Sequence, residues 1–510
     1  MTLDPLNIQK YGRYADPTRN GGNSGVYAFA NGGEAYRRDE IKLTASQFVD
    51  IGPTQHQFKI GGSAEFTDYD FIRQSNGWGT MVYSSSTEIR SRYYNLQPKQ
   101  VGQTRTYSAF LQDTMTWGRV SLNLGVLVNY DDFSQTCVAG SVCGASIAAE
   151  TTRFNFMTFR WKQQVQPRLG ITYNTELLQG DKAYANYGTY AGMDQKSTVR
   201  SFAPYRIRED QSYFSRTTGQ WLREQIRGSS GGKLIPPDLP APYTREFILG
   251  YAAPFMKDFS FDVHYTYKDI RRPFEDTPID PSNYFGSFMA QSYPDAVRIY
   301  RGYTLEVSKR YSDCWYANLS YTYSTLKGNW DEEGGGAGTF NTSSYLEDEP
   351  GLNHVEANRY GTLTQDRTHI FKLMGSFDLP AGFQLGGLFR FQSGSPWEAR
   401  GYTPSGVFYR YLEPAGSNRL PSQTSFDFLA AWNYTFANSM SLRLEGRVQN
   451  LFNSQWVSGV NNQKYLDPYV DGNPASQLGP QGTSQPNALF GTATSWVAPR
   501  RFVLSALFNF

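Results

Sequence analysis

Apolar and polar residues alternate through long stretches of this chain. In its last eleven residues, Arg500 to Phe510, the side chains of Phe502, Leu504, Ala506, Phe508 and Phe510 fall on one face and Val503, Ser505, Leu507 and Asn509 on the other. That is a period-2 strand of about the length a tilted strand needs to cross a bilayer. It stops on an aromatic residue, whereas the ends of soluble domains tend to fray. A closing strand of a transmembrane barrel accounts for it.

The same grammar recurs upstream. Ile41 to Phe71 holds two alternating segments joined at Gly52-Pro53, and Thr104–Trp117 and Arg119–Tyr130 flank Gly118. The second of these puts Val120, Leu122, Leu124, Val126 and Val128 on one side and Ser121, Asn123, Gly125 and Asn129 on the other, lipid-out and water-in. Gln166–Leu177 and Lys182–Tyr190 meet at Gln179-Gly180-Asp181, and Arg245–Ala253 turns into a strand carrying Phe259, Phe261, Val263, Tyr265 and Tyr267. Tyr303, Leu305 and Val307 lead through Ser312-Asp313 to Ala317, Leu319, Tyr321 and Tyr323. His369–Phe377 turns at Leu379–Gly382 into Phe383–Phe391, and Phe426–Phe436 turns at Ala437-Asn438 into Leu442–Val448.

Between these hairpins lie connections of roughly 30 to 55 residues rich in Gly, Pro, Asn, Ser and Tyr, which a compact soluble domain does not tolerate in such number. A membrane barrel expects them, with short periplasmic turns and long extracellular loops. The fold class predicted is therefore all-β, a transmembrane antiparallel β-barrel. Counting back from Phe510 on the periplasmic side gives about 15 strands, an odd number where single-chain bacterial barrels are even. About seven strands of a 22-stranded transporter with a plugged lumen would then lie upstream, so residues 1–510 are expected to be the C-terminal part of such a barrel.

Composition agrees with this pattern more than it extends it. Aromatic residues make up 16% of the 510, with 36 Tyr, 34 Phe and 48 Gly, which suits many strands, tight turns and aromatic girdles. No apolar run reaches the ~18 residues of a transmembrane helix. The mean hydropathy of -0.54 does not exclude a barrel, whose lumen and loops are wet. A net charge of +2 gives no concentrated basic face, so no nucleic-acid partner is expected. Of the three cysteines, Cys137 and Cys143 are close enough for a loop disulfide, with two free thiols as the alternative, and no further ligands mark a metal site. The N-terminus has neither the basic nor the apolar region of an export signal, as expected of a fragment of an exported protein.

The chain offers no catalytic constellation. His56, His264, His354 and His369 have no HExxH or Cys-rich partner, Gly394-Ser395-Pro396 lacks the spacing of a nucleophile elbow, and no cofactor is expected. Asp331, Glu332, Glu333, Glu347, Asp348 and Glu349 crowd one loop, but their spacing is not that of a calcium loop. Arg390, Asp427, Arg443, Glu445 and Arg447 point into the lumen; they either pair across strands and stiffen the wall or dock a plug and guide a polar solute. For solute recognition the candidates are the loop aromatics Trp221, Trp330, Trp397, Tyr402, Trp456 and Trp496, since loops on a rigid scaffold carry binding and aromatics make amphipathic contacts. Girdling of the membrane interface explains several of them equally well.

Particular phrases carry a resemblance. Tyr107-Ser108-Ala109-Phe110-Leu111-Gln112-Asp113-Thr114-Met115-Thr116-Trp117, then Leu122-Asn123-Leu124-Gly125 and Pro167-Arg168-Leu169-Gly170-Ile171, resemble successive strands of TonB-dependent outer-membrane receptors. Asp238–Phe247, Asp366-Arg367-Thr368-His369 and Ser393-Gly394-Ser395-Pro396 are similar to phrases of the Oar-like branch of that family, and Gln449-Asn450-Leu451-Phe452-Asn453 resembles a phrase near the end of its penultimate strand. The resemblance implies a receptor and transporter, not an enzyme, in the bacterial outer membrane. It would import a bulky extracellular solute when the periplasmic energy-coupling protein TonB pulls on a plug. The plug, the energy-coupling box and a leading carboxypeptidase-regulatory-like domain would all lie upstream of these residues. Implied partners are outer-membrane lipid, TonB, the barrel assembly machinery and an unidentified solute. A surface-binding or adhesion barrel without transport, or a passive channel, are the alternatives.

Overall fold

The computed structural model describes residues 23–24, 33–72, 80–83, 87–94, 99–139, 142–143, 146–147, 149–191, 209–227, 234–278, 288–292, 296–331, 358–402, 409–436, 440–465 and 486–510. Its main body is one antiparallel meander. The strands are β1 (Gly33–Ile51), β2 (Thr54–Ile72), β3 (Lys99–Trp117) and β4 (Val120–Cys137). Then follow β5, in two segments (Thr152–Phe159 and Val165–Tyr173), β6 (Lys182–Tyr190), β7 (Tyr243–Met256) and β8 (Phe259–Arg271). Next come β9 (Arg298–Ser312), β10 (Trp315–Gly328), β11, again in two segments (Gly361–Thr362 and His369–Asp378), and β12 (Phe383–Gln392). The wall ends with β13 (Gln423–Thr435), β14 (Ser441–Gln449) and β15 (Arg501–Asn509).

Fifteen strands is the number that the alternation predicts. Each pairs with its sequence neighbour, and the registers keep the apolar rows aligned across the wall: Leu43 faces Gly62, Leu111 faces Val126, Tyr265 faces Tyr303 and Leu444 faces Ala506. A one-residue slip would turn every one of these rows into the lumen. The sheet curves as a barrel does, yet its ladder is not continuous round the circumference. β1 pairs with β2 and β15 with β14, and no register joins β1 to β15 among the described residues. Exposure at the two edges agrees, with Leu43 at 74% and Leu504 at 87%. Among the described residues the wall is therefore a curved sheet whose two edges are not joined.

Short turns close the hairpins on one side. Gly52 (φ +58°) and Gly118 (φ +56°) supply left-handed conformations that cost an L side chain more than glycine. At the β9–β10 turn the same work is done by Asp313 (φ +49°) and Cys314 (φ +66°). On the opposite side the strands run further than alternation alone indicates. β3 starts at Lys99 and β4 ends at Cys137, several residues beyond the apolar rows. There both faces of the sheet are wet or covered by loops, so a strand persists with no hydrophobic period to announce it.

The inward and outward faces of β4 make a direct test. Leu124 is half exposed on the outer face near the middle of the apolar row, with Asn123 beside it on the inner face bonded to Thr114 (2.8 Å). Leu124→Arg is expected to cost about 2–4 kcal/mol of folding stability in a bilayer, and Asn123→Arg much less. Reversible denaturant titration in phospholipid vesicles measures both.

Candidate functional site: loop platform and lumen wall

Long loops give the wall an ordered outer storey. Segments from different connections combine into one five-stranded sheet made of Asn23–Ser24, Thr80–Tyr83, Glu88–Tyr94, Glu209–Ser215 and Trp221–Arg227. Arg223 grips Glu88 with two hydrogen bonds (2.5 and 2.9 Å) and lies 4.1 Å from the centre of the Tyr213 ring. The hydrogen bonds from Arg223 hold the Glu88 carboxyl below its ordinary range. Phe133, Met157, Phe159, Leu239, Ala241, Phe274 and Ala290 form a small apolar core that ties two loops to the tops of β4 and β5.

A second knot sits above β9–β11. Arg298, 4% exposed, donates to the Asp331 carbonyl (2.9 Å) and to Gln365 Oε1 (2.8 Å). Thr364 Oγ1 donates to Asp331 Oδ2 (2.7 Å). Burial pushes the Asp331 carboxyl up, against the pull of the Thr364 bonds and the Arg298 charge. Asp366 accepts from Leu326 N–H (2.8 Å), Thr368 Oγ1 (3.1 Å) and Arg419 Nη2 (2.7 Å). These buried charges escape sequence reasoning because they lie in Gly- and Ser-rich connections that have no period.

The five described loop aromatics have different surroundings. Trp221 stands exposed on the platform and Trp496 is exposed on the strand Ala493–Trp496. Trp397 packs edge-on against Phe490 (5.8 Å), and Trp456 is half-buried, donating its indole N–H to the Thr424 carbonyl (2.8 Å). Trp330 is 2% exposed, so it has packing surface but none to offer a solute. The strand bearing Tyr402 is described, but its side chain lies outside the described residues. So do Glu332, Glu333, Glu347, Asp348 and Glu349, while Asp331 is engaged in the knot.

On the lumen face Glu445, nearly buried, bridges Arg443 (2.9 Å) and Arg447 along β14 itself. Arg443 also reaches Gln384 (2.9 Å) on β12 and Asn433 (3.0 Å) on β13. The expectation of mutual cross-strand ion pairs is corrected here. The carboxylate is satisfied two residues away on its own strand, because same-face neighbours in a pleat are two apart. Asp427 instead accepts the Asn450 N–H (2.8 Å). Arg390 stands directly opposite Lys372, with no ion pair among the described residues. An acidic counterpart that the sequence reading missed lies on β8–β9, where Asp262 faces Glu306; Asp262 accepts from Tyr184 (2.8 Å) and contacts His264 (2.6 Å). His264 thus lines the lumen, as the alternation predicts. A depression of about 600 Å³ lined by Phe383, Trp432, Leu444 and Leu504 lies on the outer face, where acyl chains rather than solute meet it.

Cys137 is disulfide-bonded and Cys314 is a free, exposed thiol. The side chain of Cys143, the partner expected from the sequence, lies outside the described residues. The described residues hold no group of three or more His, Cys, Asp or Glu arranged to bind a metal.

The sequence model of the family described as "TonB dependent receptor-like, beta-barrel" matches residues 2–451. The chain belongs to this family. A relative, the TonB-dependent transporter Oar of Myxococcus xanthus, is 26% identical over 486 residues, covering 82% of this chain and 44% of that protein. Among solved structures, the outer membrane transporter YddB of Escherichia coli has a TM-score of 0.55 at 16% identity, covering 93% of this chain and 55% of its own. The ferripyoverdine receptor of the outer membrane of Pseudomonas aeruginosa also scores 0.55, at 12% identity, covering 97% of this chain and 50% of its own. The chain thus spans about half the length of these relatives. At such identities the structures speak to fold alone, and family and fold place the sheet in the bacterial outer membrane.

Three of the phrases that resemble the TonB-dependent receptors, at 366–369, 393–396 and 449–453, prove to be anchoring turns. Asp366 and Gly394 meet through Arg419, which donates to both (2.7 and 2.9 Å), and His369 N–H donates to Ser393 Oγ (3.1 Å). A Cβ on Gly394 would come within 1.9 Å of the Leu420 carbonyl, so this turn needs glycine. In Asn450-Leu451-Phe452-Asn453 both asparagines are left-handed (φ +50° and +52°). Asn450 Nδ2 donates to the Ser454 and Ala498 carbonyls (3.0 and 3.1 Å), pinning the end of β14 beside the start of β15.

Two outcomes follow from these contacts. Asp366→Ala strands Arg419 and the Leu326 N–H, and is expected to cost about 3–5 kcal/mol locally; hydrogen exchange should accelerate in 361–369 and 414–420 but not in β12–β14. In the β5–β6 turn, burial of Asp181 opposes ionisation. Hydrogen bonds from Thr175, Tyr251 and the Leu178 and Glu176 N–H groups outweigh it and hold the carboxyl down to about 2. A depressed carboxyl contributes stability above its unfolded pKa and loses it as pH falls through the folded one. Asp181→Asn is therefore expected to melt below the parent at neutral pH in detergent, with the gap closing between about pH 4 and pH 2.

Proposed function

We propose that this wall is the C-terminal part of a plugged outer-membrane receptor barrel. The complete receptor would bind a bulky solute with its outer loops and import it under energy delivered by TonB. The observation that supports this most is the open sheet. Unpaired backbone N–H and C=O groups cost several kcal/mol each in hydrocarbon, so the free edges of β1 and β15 call for further strands between them. Seven would bring fifteen to twenty-two, the class with a plugged lumen. The like-charged pairs Lys372–Arg390 and Asp262–Glu306 support a polar body inside, since like charges facing each other on a bare wall are destabilising. The name of the Myxococcus xanthus relative, a TonB-dependent transporter, supports the coupling. Lipid and the barrel assembly machinery are the partners such a wall would need, and the solute is a bulky polar molecule of unassigned class.

The 510-residue chain folded alone into detergent is expected to show no heat-modifiable closed-barrel band on a semi-native gel; a clear mobility shift overturns the missing-strand reading. In cells, uptake profiles of strains lacking this gene and strains lacking TonB should lose a common solute. Loss in the first strain with full uptake in the second would instead mark a passive channel, and surface binding unaccompanied by any uptake would mark an adhesin.

A further inference from the structure

We propose that the outer surface of β7, β8 and β9, where these strands leave the apolar band, binds the phosphate head group of an outer-leaflet lipid. Tyr265 and Tyr303, ring centres 5.0 Å apart, face each other across β8 and β9 on the outer face. Phe247 and Tyr267 face each other one pleat higher, across β7 and β8. Such amphipathic rings sit at head-group level. On the same face Arg301 stands opposite Tyr267, Arg245 and Asp269 face each other one pleat above, and Arg271 comes one pleat above those. The only carboxylate in this row is Asp269, whose side chain is 3% exposed, and it holds Arg245 (2.5 Å) and Arg271 (2.7 Å). Arg301 lies 5.7 Å from the centre of the Tyr267 ring and makes no ion pair among the described residues. Glu246 and Lys268 neutralise each other on the lumen side (2.7 Å), so the outer patch keeps a net excess of positive charge.

Two buried polar atoms beside this patch have no partner. Thr189, 8% exposed, has no partner for its Oγ1, and Arg245 has none for its Nε; the two residues are direct register neighbours across β6 and β7. Two unspent donors beside a charged patch suit a tetrahedral oxyanion with several acceptors. Arginine forks match phosphate oxygens two at a time. The depth decides the source: a phosphate lying directly over an aromatic belt and an apolar face belongs to a lipid whose acyl chains run down over Leu249, Val263 and Leu305, half exposed on that face.

The test is lipid retention by the detergent-solubilised full chain, followed by native mass spectrometry with diphosphoryl lipid A as the probe. The parent should hold one lipid. Arg301→Gln, which breaks no ion pair, should weaken retention about tenfold, the worth of one charge-assisted contact; Arg301→Lys should recover it in part. Arg245→Gln with Arg271→Gln should abolish it, whereas Lys268→Gln on the opposite face should leave it unchanged. Equal retention by parent and Arg301→Gln overturns the proposal. Displacement of the lipid by equimolar inorganic phosphate also overturns it, because the site would then recognise a free anion.

Discussion

Everything in this protein depends on one demand, that backbone hydrogen bonds be satisfied without water. A strand in hydrocarbon must pair on both sides, and the meander meets this by pairing each strand with its neighbours in the chain, through short turns on one side and long loops on the other. The demand fixes the parity of the rows, and with it which side chains face lipid and which face the lumen. It also makes the two unpartnered edges, β1 and β15, the most informative places in the wall. Both expose long apolar rows and a full line of unspent hydrogen-bonding groups.

The outer storey obeys different physics. Above the bilayer a loop can hydrate its backbone, so order there has to be made by local contacts. Three devices supply it: a small sheet assembled from distant connections, an apolar core at the tops of β4 and β5, and ion pairs with buried carboxylates such as Arg298–Asp331 and Asp366–Arg419. Ion pairs of this kind add little net stability over apolar packing but penalise heavily any rearrangement that separates them. They suit a platform that must hold its shape while loop residues around it engage a solute.

The wall was legible in the sequence wherever lipid imposes a period. The rows through Leu124, Val263 and Leu444 could be counted, and the count of strands followed. Legibility stopped at two boundaries. Above the membrane the strands continue with both faces wet, so the upper halves of β3 and β4 carry no alternation. In the loops the decisive residues are charges buried by contacts far apart in the chain, and Asp366 looked no different from any solvated aspartate. Its phrase stood out only by resemblance, and the structure supplies the reason, a turn in which Arg419, Gly394 and Asp366 interlock. Aromatic content misled in the other direction. Trp330 seemed a surface contact because it lies in a polar loop, but a large ring in an ordered loop is more useful as its core.

The two edges of the wall differ in strand length. β1 to β3 are 19 residues long and β14 and β15 only 9, so at about 3.3 Å per residue the strands of one edge run roughly 30 Å further along their tilted axis than those of the other. The mouth of the wall is cut obliquely, like a spout. A molecule diffusing along the cell surface meets a high parapet over β1–β4 and an open lip over β12–β15. The interlocked turns around Arg419 and Asn450 stand at that lip, where they act as a sill rather than a roof.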